Sequence, residues 1–319
     1  MRIGVVVDAT CDLPAEFYQL KNLGLLPIRI STGNAVFADF RERAETERFY
    51  LEHADTDAAR FESTPATVEE ICEVFLNRLV VDYDFVFCIT VASKRSPTYQ
   101  NMTIAAQEIL NRYRPHRNKA GIKTPFSMRV IDGQSFFSGT GALVAEVVRM
   151  IETGVGPQEI RLHIEQLAPK ICIHMVPQSL SQLRARGFKK GERSHFFSDN
   201  LKSIGLAMGS ALSLHPVIRI HAGHEGPAAI LMTQDKAIER LFKHTIEQIR
   251  AGKLLSPQIC MSYSGDISII RQVPGYRELA EVSRQAGVEL LLTVTSITGL
   301  VNCGPGCLIL AYIGEPLPM

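Results

Sequence analysis

The sequence predicts an α/β protein of two α/β domains, residues 1–155 and 156–319, with a Rossmann-like parallel sheet in the first and a mixed sheet in the second. Three observations carry this prediction. Short apolar, β-favouring runs alternate with amphipathic helical patterns along the chain, the signature of strands joined by helical crossovers. Gly154-Val-Gly-Pro157 interrupts that pattern near the middle of the 319 residues, where a chain of this length is expected to divide into units of ~150 residues. Beyond it, Leu214–Ile220 and Ala228–Met232 flank Gly223-His-Glu-Gly226 and read as a hairpin, so antiparallel pairing enters the second half.

The elements follow in order. Ile3–Val7 is a strand that ends in the polar turn Asp8–Pro14, and a helical stripe follows through Phe17, Tyr18, Leu20 and Leu23. Asp12 suits the cap of that helix and Pro14 its first turn. Leu25–Ile30 reads as one strand, residues 31–45 as turns, and Thr46–His53 as a short helix. Phe61–Thr67 is a second polar turn. Thr67 and Glu70 have the spacing of a capping box ahead of Ile71, Val74, Phe75 and Leu79. Asp84–Thr90 is nearly all apolar, as a buried strand of a parallel sheet should be. The hydroxyl-rich turn Val91–Gln100 comes next, then a helix bearing Met102, Ile104, Ala105, Ile109 and Leu110. Met128–Asp132 is a strand and Gly139–Ile151 a helix, with Gly139 and Gly141 placed for close packing. The second half reads as a helix at 158–167, a strand at 170–176, a helix near 179–186, the basic loop Arg184–Arg193 and a helix at 197–212. After the hairpin come a helix at 235–251, strands at 257–263 and 288–294 around a helix at 276–286, and a final strand at Leu308–Ile313.

Composition narrows the function. With 46% hydrophobic and 21% charged residues the chain has ample material for a core, and a net charge of +1 gives no global attraction for nucleic acid or an anionic membrane. Met1–Asp8 is too short in its apolar part for a signal peptide, and no apolar run approaches the ~20 residues of a membrane span. Seven scattered cysteines, mostly within apolar segments, are expected to be buried thiols in a reducing cytoplasm. The spacing of Cys303 and Cys307 is not that of a zinc ribbon, His221 and His224 suit a solvated hairpin, and no Gly-x-Ser-x-Gly follows a strand. Neither a metal site nor a cofactor is expected. The turns at Asp8–Asp12, Glu62–Pro65 and Ser93–Gln100 remain. On one parallel sheet they would converge on its carboxyl edge, where open α/β folds bind ligands. Hydroxyls beside a helix N-terminus suit a small anionic head group, although Ser96 or Thr98 serves equally as a helix cap.

These residues resemble the DegV family of bacterial fatty-acid-binding proteins. Asp8-Ala-Thr-Cys-Asp-Leu-Pro14 is similar to the family's Asp-Ser-Thr-Cys-Asp-Leu-Pro, Ser96-Pro-Thr-Tyr-Gln100 to its Ser-Gly-Thr-Tyr-Gln, and Glu62-Ser-Thr-Pro65 to its Thr-Ser-Gln-Pro. Val130-Ile-Asp132, Met208-Gly-Ser210 with His215-Pro216, and Gly304-Pro-Gly306 fall in the same order. The resemblance implies two domains that enclose one long-chain fatty acid, such as palmitate, in a cleft between them. It implies a carrier, not a catalyst, that presents its acid to a fatty acid kinase in some members. Carried over by position, the head-group residues are Ser96, Thr98 and Thr10, with Glu62 at the family's threonine, Ser63 as the nearest hydroxyl, and Asn302 where a histidine is expected. Lys94 or Arg95 would offset the charge of Glu62. Two other classes compete: a small-molecule kinase or transferase subunit of dihydroxyacetone-kinase-like architecture, and a regulatory module docking through the basic loop 184–193.

Overall fold

In chain order the first half contains β1 (Ile3–Asp8), α1 (Ala15–Gln19), β2 (Leu23–Leu26), β3 (Ile28–Ser31), β4 (Val36–Asp39), α2 (Arg43–His53), β5 (Glu62–Thr64), α3 (Val68–Val74, continued by a π-helical turn), β6 (Phe85–Thr90), α4 (Thr98–Arg112), α5 (Arg114–Lys119), β7 (Ser127–Asp132) and α6 (Ser138–Glu152). The second half adds α7 (Pro157–Leu167), β8 (Ile171–Val176), β9 (His215–His221), β10 (His224–Leu231), α8 (Gln234–Arg250), β11 (Leu254–Tyr263), α9 (Ile267–Gln272), α10 (Tyr276–Gln285), β12 (Glu289–Val294), α11 (Ile297–Cys303) and β13 (Leu308–Gly314). This is a computed structural model, and it describes residues 1–19, 23–32, 35–53, 60–180 and 214–319. The basic loop 184–193 and the helix expected at 197–212 lie outside the described residues.

Three sheets result. A four-stranded sheet of order β2-β1-β6-β7 is parallel throughout. Its central strands β1 and β6 are buried at every position after the first, which their unbroken apolar runs require. A six-stranded sheet of order β10-β9-β8-β13-β11-β12 is mixed: β11 and β12 are parallel and the other neighbours antiparallel. A small antiparallel sheet, β4-β3-β5, completes the set.

α6 lies between the parallel and mixed sheets, and all its residues from Ser138 to Val148 are buried. One apolar core therefore includes Val5, Phe87 and Ile89 from the first sheet and Ile171, Ile173 and Ile309 from the second. The two glycines of α6 explain how it fits. A Cβ at Gly139 would come within 2.7 Å of the Ile173 Cδ1, and one at Gly141 would fall on the backbone carbonyl of Asp12. The outer face of the mixed sheet packs on α8 and α10 through Cys172, Val176, Phe242 and Tyr312. α3 and α4 cover the outer face of the parallel sheet through Ile71, Phe75, Met102 and Ile109.

Several expectations are corrected. Leu25–Ile30 is not one strand: it splits at Pro27, which has no N–H for a ladder, and the chain passes there from the parallel sheet to the small one. Val36–Asp39, read as part of a turn region, is β4. Glu62–Thr64 is β5 of the small sheet, so the three polar turns do not all belong to one sheet. Asp12 does not cap α1; it is buried and pairs with Arg41, Oδ1 to Nη1 at 3.1 Å. α5, α9 and α11 have no counterpart in the sequence pattern. The Thr67–Glu70 capping box is present as expected, and all seven cysteines are buried and unbridged. No described helix is long and apolar enough to cross a membrane.

Candidate functional site

The carboxyl ends of β1, β6 and β7 are adjacent, and two aspartates lock the turn that follows β6. Asp8 closes β1. Its carboxylate accepts hydrogen bonds from the Thr10 N–H (2.9 Å), the Thr10 hydroxyl (2.5 Å) and the Val91 N–H (3.0 Å). Asp132 closes β7 and accepts from the Ser93 N–H (3.1 Å), the Ser93 hydroxyl (2.6 Å) and the Gln134 N–H (2.9 Å). The Ala92 N–H donates to Ser135 O at 2.9 Å. The turn is thus held from both flanking strands before any ligand is considered. Burial pushes the Asp8 carboxyl above the ordinary carboxylate range, against the hydrogen bonds from Thr10 and Val91.

Within this turn the Ser96 and Thr98 hydroxyls lie 2.7 Å apart, and the Thr98 N–H donates to Ser96 Oγ at 3.3 Å. Ser96 thus braces the turn just ahead of α4, whose N-cap position is Pro97, and its partly exposed hydroxyl keeps further hydrogen-bonding capacity. One turn into α4, the Asn101 amide donates to Ala66 O at 2.9 Å, which brings the segment after β5 alongside.

Arg95 reaches across toward the mixed sheet. It forms an ion pair with Glu225 on β10, and its Cζ lies 4.4 Å from the centroid of the Phe136 ring. Around this pair is a cavity of about 350 Å3, in the size range of small-molecule sites. Ser93, Lys94, Arg95 and Asp132 line one side; Ile171, Ile173 and Ile220 line the other, with His221 at the margin. A polar turn thus faces an apolar sheet across one opening.

The six residues expected at the site are distributed around this edge and do not form one cluster. Ser96 and Thr98 are together. The Thr10 hydroxyl is engaged by Asp8, and Thr10 is buried. Glu62 and Ser63 are exposed on β5, opposite Ser31 and Ile30 of β3. Asn302 is buried within α11, and its Nδ2 donates to Thr298 O at 2.7 Å, so it reinforces its own helix. The small sheet and α11 do pack together, through Ile28, Ile30, Phe61, Ile297, Leu300 and Val301.

A buried charge network fixes α11 there. The Ser296 N–H donates to Asp12 Oδ1 at 3.0 Å, and the Thr298 N–H and hydroxyl each reach Asp39 Oδ2 at 2.8 Å. Arg41 Nη2 donates to Val294 O at 3.1 Å. Burial pushes the Asp12 and Asp39 carboxyls upward, and Arg41 opposes it. Sequence reasoning misses Glu225 and Phe136, and it assigns His221, which lines the cavity, to a solvated hairpin. Arg95 was noticed only as a source of positive charge. Glu225 carried no signal, since it sits in what read as a hairpin turn. Among the described residues no group of three or more His, Cys, Asp or Glu side chains is placed to hold a metal ion.

Fold and site together define an α/β protein of three sheets with an amphipathic cavity at the carboxyl edge of its parallel sheet. A family model described as "Uncharacterised protein, DegV family" matches residues 2–315. A DegV domain-containing protein of Xanthomonas campestris pv. campestris is 42% identical over 316 residues, covering 99% of this chain and 98% of the relative. The chain belongs to the DegV family. Solved structures share the fold: a fat acid (stearic acid)-binding protein from Eubacterium ventriosum superposes with a TM-score of 0.73 at 20% identity, covering 98% of each chain. A fatty-acid-binding DegV family protein from Thermus thermophilus gives 0.71 at 21% identity, covering 98% of this chain and 100% of that one.

Proposed function

We propose that this protein binds one long-chain fatty acid, or a related acyl lipid, between units 1–155 and 156–319, and that it is a carrier and not a catalyst. The observation that carries the reading is the cavity itself, lined by the Ser93 hydroxyl and the charges of Lys94 and Arg95 on the turn after β6 and by isoleucines of β8 and β9; Ser96 and Thr98 follow on the same turn, outside that lining. That arrangement suits a molecule with one polar end and one apolar end. Each buried CH2 contributes about 0.8 kcal/mol, so a chain of ~16 carbons supplies on the order of 10 kcal/mol, against ~1.5–3 kcal/mol for a hydrogen bond to a charged head. Affinity therefore resides in the chain, and the polar turn sets which head group is accepted. The fatty acids named for the Eubacterium ventriosum and Thermus thermophilus relatives support the same ligand class. Ser96 and Thr98 are the head-group hydroxyls of this proposal. Thr10, Glu62, Ser63 and Asn302 act around them, through the turn, the small sheet and α11.

Native mass spectrometry of protein purified from cells should show a bound fatty acid. A clean ligand-free mass, with no uptake of added palmitate, would sink the proposal. Ser96→Ala should weaken binding of palmitic acid more than of methyl palmitate, by about tenfold for one charged hydrogen bond; equal losses would leave Ser96 as a brace of the turn alone. Seven buried thiols fit a reducing cytoplasm. The family resemblance supports a further step, presentation of the acid to a fatty acid kinase. Acyl phosphate formation by such a kinase should then depend on this protein.

A further inference from the structure

Arg95 and Glu225 come from opposite sides of the cavity and both line it. Their side chains are 12% and 5% exposed, so the ion pair is largely desolvated. Arg95 is also restrained from behind. Its N–H donates to Ala92 O at 2.8 Å, Ser93 is tied to Asp132, and the guanidinium lies over Phe136. Arg95 cannot turn away from Glu225 without leaving the Phe136 ring. The positive charge that the cavity offers therefore comes with its own counter-charge. A ligand carboxylate gains from Arg95 only what it takes from Glu225, and it is repelled by the Glu225 carboxylate in a poorly solvated place. An uncharged acyl head, such as an ester or amide, meets neither penalty. Lys94 is exposed to solvent, where its charge is screened.

We infer that Glu225 is a specificity-determining residue of the acyl site: by holding Arg95 it reduces the preference for a free carboxylate and admits acyl chains with uncharged heads. This rests on the acyl-binding reading above. The test is competition between equimolar palmitic acid and methyl palmitate for the full chain, read by native mass spectrometry. Glu225→Gln removes the carboxylate at constant size and should raise the acid-to-ester ratio by about tenfold. Glu225→Ala should shift it the same way, so that a folding defect in one variant leaves the other to decide. The pair Arg95→Gln with Glu225→Gln should lose the gain, because the Arg95 guanidinium, relieved of the Glu225 carboxylate, is its source. An unchanged or lower ratio in the folded single variants would overturn the role of Glu225 while the acyl reading stands. Wild-type protein that takes up neither probe would remove the acyl reading, and this inference with it.

Discussion

Ser96 is the residue at which a structural hydrogen bond and the proposed head-group contact fall on one hydroxyl. Its Oγ accepts the Thr98 N–H and lies 2.7 Å from the Thr98 hydroxyl, so removing it takes away a brace at the entrance to the 15-residue helix α4. Ligand-free Ser96→Ala should lose ~0.5–1.5 kcal/mol in urea unfolding, the usual net contribution of one hydrogen bond. Unchanged stability would mean that the hydroxyl is spare for a ligand. Sequence reasoning singles out Ser96 and Thr98 because a hydroxyl-rich turn between a strand and a helical pattern is a local signal. It could not find the roles of Thr10 and Asn302, since their engagement by Asp8 and Thr298 depends on side-chain direction. Arg95 and Glu225 are 130 positions apart, and no local pattern pairs them.

At the scale of elements, what was legible had its cause within the segment. β1, β6, β7, α6 and α8 follow from apolar runs or stripes in their own residues. α11 does not: it is seven residues long, and it is held by the Ser296 hydroxyl accepting from the Gly299 N–H at 3.0 Å and by Asp12 and Asp39 from the other half of the chain. The glycines of α6 were readable as packing residues, and their environment makes that a quantitative claim. Gly141→Ala places a methyl group on the rigid Asp12 carbonyl and should cost about 1–3 kcal/mol through overpacking. Gly156, at the start of α7, has open space around it and an ordinary φ of −76°. Gly156→Ala should stay within about 0.5 kcal/mol of wild type, as surface changes do. Chemical denaturation of the two variants side by side checks this; equal costs would mean that α6 has room to shift.

At the scale of the whole molecule, two kinds of buried titrating group pull stability in opposite directions with pH. Asp12 and Asp39 connect the two halves of the chain and Asp8 ties β1 to the turn after β6, and the carboxyls of all three are raised above the ordinary value of 3.8 by burial. The folded state therefore takes up these protons before the unfolded state does, and acidification through that window adds stability. His174 and His244 do the reverse. They lie buried between the mixed sheet and α8, ring centroids 5.3 Å apart, and neither His174 Nδ1 nor either nitrogen of His244 has a hydrogen-bond partner. Burial holds His174 well below its ordinary 6.5, and its neighbours His244, Arg219 and His221 act in the same direction. Below about pH 6.5 the unfolded chain gains a proton that folded His174 refuses, at up to ~1.4 kcal/mol per pH unit. The opposing slopes partly cancel in the wild type, so the histidine is best isolated by difference. Between pH 7.5 and pH 5, wild type should lose about 2 kcal/mol more than His174→Gln, because only wild type carries that proton linkage while the carboxylates are common to both. Urea unfolding at the two pH values measures it. Parallel losses would show that folded His174 accepts its proton, which requires water or a polar group beside the unpartnered ring nitrogen and would reassign this histidine pair from sealed core to solvent-reached pocket.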